Sequence, residues 1–168
     1  MLSADYARTL LDYTVWANAR LLAAAEGLTP DELVAITIPA HDSILATLAH
    51  TLGAERIWRE RLEGHAPSAM LGVADVPTLE ALRSAWAAEQ ASWRERLATL
   101  GDADLMEPIV YKTMTGISFT QPLWELLSHL ANHGTQHRAE VAAMLTMLGR
   151  SPGDLDMNKF YRERAATS

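Results

Sequence analysis

Apolar residues recur along this chain with the three-to-four spacing of amphipathic helices in four long segments. The first runs from about Ser3 to Glu26, with Tyr6, Leu10, Tyr13, Ala17 and Leu21 on one stripe, and Gly27 closes it. In the turn that follows, "LTPDEL", Thr29 and Pro30 are suited to start a short helix. The second segment begins at Asp42 or Ser43, both good caps, and ends at Gly64. Its inward surface comes mainly from Ile44, Leu48, Ala54, Ile57 and Trp58. The third starts after Thr78, carries Leu79, Leu82, Trp86, Trp93, Leu97 and Leu100, and stops at Gly101.

Between Glu107 and Phe119 the texture changes to β-branched and aromatic residues around Gly116, which predicts a short hairpin or extended crossover. The fourth helix is expected to take Thr120 as its cap and Pro122 in its first turn. It should continue to Leu148 and Gly149, with Pro152 preventing extension. The expected fold is therefore all-α: a four-helix bundle in one domain, residues 1–168, with an extended or hairpin crossover before the last long helix.

Composition narrows the function classes. Half of the chain is apolar (49%) and 21% is charged, as in an ordinary globular domain. A net charge of −7 argues against a nucleic-acid partner, which needs Lys and Arg gathered on one face. Arg56, Arg59 and Arg61 are interleaved with Glu55, Glu60 and Glu63, the pattern of a solvated helix face with near-neighbour ion pairs. The chain has no cysteine, which excludes disulfides, thiolate zinc ligands and a cysteine nucleophile. No apolar run approaches the ~20 residues of a membrane helix. The opening "MLSADYARTLLDY" has no apolar core of a signal peptide, so the expected compartment is the cytoplasm, with no membrane partner.

Three of the six histidines stand in "SHLANHGTQHRAE", residues 128–140. On a helix, His129, His133 and His137 fall within a band of about 80°, and Glu140 shares it. Leu126, Leu130, Val141 and Met144 lie on the same side, so the band should face the interior. A single inward histidine is commonly a hydrogen-bonded core residue. Three would bring several ring nitrogens into an apolar interior, each costing ~1–3 kcal/mol if unpaired. A divalent cation satisfies several of them together, and an i, i+4 pair supplies two neighbouring coordination positions. A further ligand must come from another helix. His50 is the candidate, flanked on its own face by small Ala46 and Ala54. His41 and His65, at the two ends of the second helix, are expected at the surface or in turns.

Other chemistries fit less well. A di-iron bundle needs ExxH motifs, whereas Glu125 and His129 are four apart. The zinc-protease HExxH is absent. Ser43 or Ser128 has no nucleophile-elbow motif around it. Trp58 and Trp16 are candidates to line a pocket, although aromatic residues at helical spacing are usually core. Arg138 lies about 140° from His133, off the histidine band, and receives no catalytic role.

"LDYTVWANARLL", "SILATLAHTLGAERIWRERLEG", "VYKTMTG", "LWELLSHLANHGTQHRAEVAAMLTMLG" and the trailing "SPGDLDMNKFY" together resemble the DinB/YfiT-like family of metal-binding four-helix bundles, over nearly the whole chain. The resemblance implies a divalent metal held by His50, His133 and His137, with His129 as a neighbour of the site. It also implies homodimers and, for some relatives, transfer or isomerisation of a small-molecule substrate with a low-molecular-weight thiol such as bacillithiol, mycothiol or glutathione. Where the family often reads HRGQ, this chain has His137-Arg138-Ala139-Glu140, which puts a carboxylate on the metal-facing band. Glu140 is either a tolerated polar exchange, a partner to a ligand histidine, or a base beside an open coordination position.

Three neutral imidazoles leave a cation its full charge and an open position, which suits two enzyme chemistries: hydrolysis by metal hydroxide, or transfer of a metal-held thiolate. A non-catalytic, stress-related metal- or ligand-binding protein is the competing class. Zinc and nickel lead as the metal, with iron and manganese also compatible with imidazole.

Overall fold

The computed structural model describes residues 3–35 and 43–167. The elements are helices α1 (Ala4–Ala24), α2 (Pro30–Val34), α3 (Ile44–Leu62) and α4 (Leu79–Ala98), a 3-10 turn (Ala103–Met106), strands β1 (Pro108–Lys112) and β2 (Ser118–Pro122), and helices α5 (Leu123–Met147) and α6 (Met157–Thr167). The fold is mainly helical.

Side-chain caps decide most of the helix starts. Ser3 accepts from the Tyr6 amide, Ser43 from Ala46 and Thr78 from Ala81. Thr29 and Glu32 form a reciprocal capping box that starts α2 at Pro30. Of the two candidate caps for α3, Ser43 serves; Asp42 and His41 lie outside the described residues. α4 ends at Ala98, three residues short of Gly101, because Leu100 turns back into the core.

The expected start of the last long helix is corrected. Thr120 does not cap it but pairs with Val110 in an antiparallel β1–β2 hairpin, with Tyr111 opposite Phe119. Pro122 is the residue before the helix, with ψ of 146°, rather than a member of its first turn. A proline disfavours helical backbone at the residue before it, so Gln121 stays extended and the strand runs to the proline. Gly116, at φ of 83°, takes the left-handed position in the hairpin turn.

α1, α4, α3 and α5 contact one another in a closed cycle, each against two of the others. The core between them has two apolar layers. One gathers Leu21, Leu45, Leu48, Leu82, Trp86 and Val141; the other gathers Ala7, Trp93, Leu97, Leu105 and Leu123. Between these layers lies a buried polar belt of Asn18, Glu55, His137 and Arg138. Glu55 is thus not part of a solvated face. The ion pairs expected on α3 form from Arg56 to Glu60 and from Arg59 to Glu63, and Arg59 also pairs with Glu89 of α4. Tyr6, placed on the inward stripe by periodicity, is exposed, and Asn18 takes an inward position instead.

Helix α6 lies beyond the four segments that periodicity predicts. Asp156 accepts from the Asn158 amide at its start, and Phe160 packs against Tyr13 and Trp16 of α1. The Trp16 indole donates to Glu163, which assigns Trp16 to this docking contact and not to a pocket at the histidines.

Candidate metal centre

α3 and α5 pack side by side, and that contact brings His50 of one helix against His133 and His137 of the other. The Nε2 atom of His133 lies 3.3 Å from Nε2 of His50 and 3.1 Å from Nε2 of His137. All three ligand atoms lie within 4.8 Å of one another. Imidazole donors bound at about 2.0–2.1 Å in a tetrahedral arrangement would be about 3.3 Å apart. The two pairs that include His133 match this spacing, and the cluster could gather one ion.

Protonation supports the same reading. His137 Nδ1 lies 2.7 Å from Glu140 Oε2, and His137 itself is buried. The carboxylate accepts a hydrogen bond only, so it fixes the proton on Nδ1 and leaves the Nε2 lone pair facing the other two rings. A neutral His133 carries at most one Nε2 proton, which serves one neighbour and not both. A cation at the point of convergence satisfies all three nitrogens. Glu140 therefore stands behind a candidate ligand and acts through it, the arrangement that orients metal-binding histidines.

His129 does not join the cluster. Its ring centroid is 5.7 Å from that of His133, and it is exposed, so the histidine band leaves the interior at this end. Partial burial, and then the charge of Arg61, hold its pKa below the usual histidine value. Trp58 meets the His129 ring edge-on at 5.3 Å and is half-buried. Both border the solvent-facing side of the site, as its surroundings rather than as ligands. His65 is exposed, 3.7 Å from Glu63, and His41 lies outside the described residues. The Ser43 hydroxyl is committed to its cap, and Glu125 accepts from Gln121, so neither forms a rival catalytic group at the histidines.

Three residues beside or behind the histidines received no site role from sequence reasoning. Tyr111 of β1 packs on Trp58 at 5.0 Å, and Arg61 lies over both rings. On the opposite face of α5, Arg138 is 2% exposed. Its guanidinium lies over the Tyr13 ring and against Gly134, and Nη2 donates to Thr135 Oγ1 at 2.9 Å. The helical glycine was the available signal. A Cβ at Gly134 would stand 2.7 Å from Arg138 Nη1, so the missing side chain makes room for the guanidinium.

Converging imidazoles from two packed helices define the class: a mainly helical protein with a three-histidine site able to hold a metal ion. The chain belongs to the DinB family, whose model matches residues 1–166. It is 28% identical over 160 residues to "Protein DinB" of Bacillus subtilis (strain 168), an alignment covering 90% of this chain and 91% of that protein. No helix among the described residues is long and apolar enough to cross a membrane.

Proposed function

We propose that this chain is a single-domain, four-helix-bundle metalloenzyme of the thiol S-transferase or isomerase type, cytoplasmic and homodimeric, acting on a small molecule. The observation that carries this reading is the convergence of three Nε2 atoms, with Glu140 behind His137. His50, His133 and His137 hold one divalent ion, zinc or nickel before iron or manganese. When bound, that ion supplies Lewis acidity and a fixed positive charge that favours the thiolate form of a thiol at neutral pH.

The protein groups do the rest. Glu140 holds the Nδ1 proton of His137 and thereby keeps its Nε2 available. Half-buried His50 and His133 leave one side of the site open to solvent, where a cosubstrate can enter past His129 and Trp58. A chain without cysteine has no nucleophilic thiol of its own, so in this reading bacillithiol, mycothiol or glutathione brings it.

The test is elemental analysis of protein purified without an affinity tag, followed by a thiol-transfer screen with those three thiols and a small electrophile. The expected result is one divalent metal per chain, with turnover that is lost in a folded His50→Ala variant. Metal-free protein after purification and metal titration would refute the metal reading. Metal binding with thiol-independent ester cleavage would replace the transferase with a hydrolase. Metal binding with no turnover would leave a stress-related binding protein.

A further inference from the structure

Arg61 follows His50 by three helical turns on α3, about 16 Å along the axis and only about 20° around it. Side chains lean toward the helix N-terminus, so the guanidinium reaches back toward the histidines. Its Cζ lies 4.7 Å from the Trp58 ring centroid and 5.3 Å from that of Tyr111. Trp58 contacts His129, and His129 adjoins His133, so an unbroken wall of rings runs from the guanidinium to the histidine centre. The wall is open to solvent: Arg61, Trp58 and Tyr111 are half-buried and His129 is exposed.

The cation on this wall has no anion. Its neighbours Glu60 and Glu63 are committed to Arg56 and Arg59, and no carboxylate among the described residues lies within ion-pairing distance of Arg61. Its Nε is buried without a hydrogen-bond partner. Burial holds its pKa below the usual arginine value, yet a guanidinium remains protonated at any working pH. Lying over two rings satisfies none of its N–H donors, and the two terminal nitrogens, unlike buried Nε, are the ones that can meet a carboxylate in a forked geometry.

We propose that Arg61 is the anion-recognition residue of this site, pairing with the carboxylate of an elongated small-molecule thiol whose body lies along Trp58 and His129 and whose sulfur reaches the histidine centre. Such a molecule spans on the order of 10 Å between the two ends, the helical rise less the reach of the arginine side chain. This inference rests on the metal-centre reading above and adds the charge and length of what binds there.

Calorimetric titration of the zinc-loaded full chain with glutathione, and with its carboxyl-blocked diethyl ester, tests it. Wild type should bind glutathione about tenfold more tightly than the ester, the contribution expected of one charge-assisted pair. Arg61→Gln should lose that preference, and Arg61→Lys should keep part of it, since an ammonium retains charge without the planar fork. Zinc affinity, titrated separately on the metal-free proteins, should be the same for all three. Wild type that does not prefer glutathione, or Arg61→Gln that still does, overturns the proposal. So does a lowered Tm in both variants with the preference intact, which would make Arg61 a packing residue only. Failure to take up zinc overturns the metal reading on its own, and the same glutathione and ester titrations run on the metal-free chain then decide the role of Arg61.

Discussion

Replacing Glu55 by glutamine should make the protein more stable at neutral and alkaline pH, by an amount set by the buried belt between the two apolar layers. Glu55 is 5% exposed. Its Oε2 accepts from the Trp86 indole at 2.7 Å and its Oε1 from the Asn18 amide at 3.2 Å. Desolvation pushes its pKa up from 4.5 to about 7, against the smaller opposing pulls of Trp86, Arg138 and Asn18. Between those two pH values the native chain keeps the Glu55 proton and the unfolded chain has released it. Stability therefore falls as pH rises from 4.5 to 7, by about 3 kcal/mol in all, and is level above that window with respect to this group.

Glutamine copies the protonated form. Its carbonyl oxygen can still accept from Trp86, and with the Asn18 amide turned over its nitrogen can donate to Asn18 Oδ1, which is buried without a partner in the wild type. Glu55→Gln should thus match wild type to within about 1 kcal/mol at pH 5 and exceed it by about 3 kcal/mol at pH 8. For a chain of this size that corresponds to a Tm higher by roughly 6–12 °C. Urea unfolding of metal-stripped protein at the two pH values measures it, and taking the difference between wild type and variant cancels the other titrating groups. Equal stabilities at pH 8, or the same pH dependence in both proteins, would refute a carboxyl held neutral by burial.

Glu140→Gln should weaken zinc binding about 10- to 100-fold in a chelator competition, because an amide holds the His137 Nδ1 proton less strongly; an unchanged affinity ends the positioning role. His50→Ala should fold with an unchanged metal-free Tm and lose the rise that zinc gives wild type, about 2.7 kcal/mol at a hundredfold excess over Kd; a zinc-dependent rise that persists would remove His50 from the ligand set. Gly134→Ala should destabilise by about 1 kcal/mol despite the better helix propensity of alanine, since its methyl displaces the buried Arg138 guanidinium; a gain in urea midpoint would show that the guanidinium shifts freely.

What could be read from the sequence was what repeats locally. α1, α3, α4 and α5 each announce an apolar face, and Ser43 and Thr78 mark helix starts by their own hydroxyls. α6 carries only Met157, Phe160 and Tyr161 as large apolar residues, and their partners Tyr13 and Trp16 lie near the other end of the chain, so its burial is a tertiary fact with no local trace. Glu55 is different, because its signal was present. It follows Leu48 and Leu52 by seven and three residues on the buried face of α3, and charge alternation with Arg56 and Glu60 concealed that periodicity.

The stretch from His133 to Glu140 shows why a single pattern underdetermines a site. Spacing puts His133, His137 and Glu140 on one face, and the i, i+3 step from His137 to Glu140 is short enough for the observed hydrogen bond. His129 obeys the same spacing yet is exposed, while Leu123 and Leu126 on the same part of α5 stay buried. Arg138, off the band, proves the more buried of the two, and Gly134 is what permits it. One helix thus presents imidazoles toward α3 and a buried guanidinium toward α1. Packing on both faces limits how far α5 can rotate, and that constraint holds His133 and His137 in register with His50.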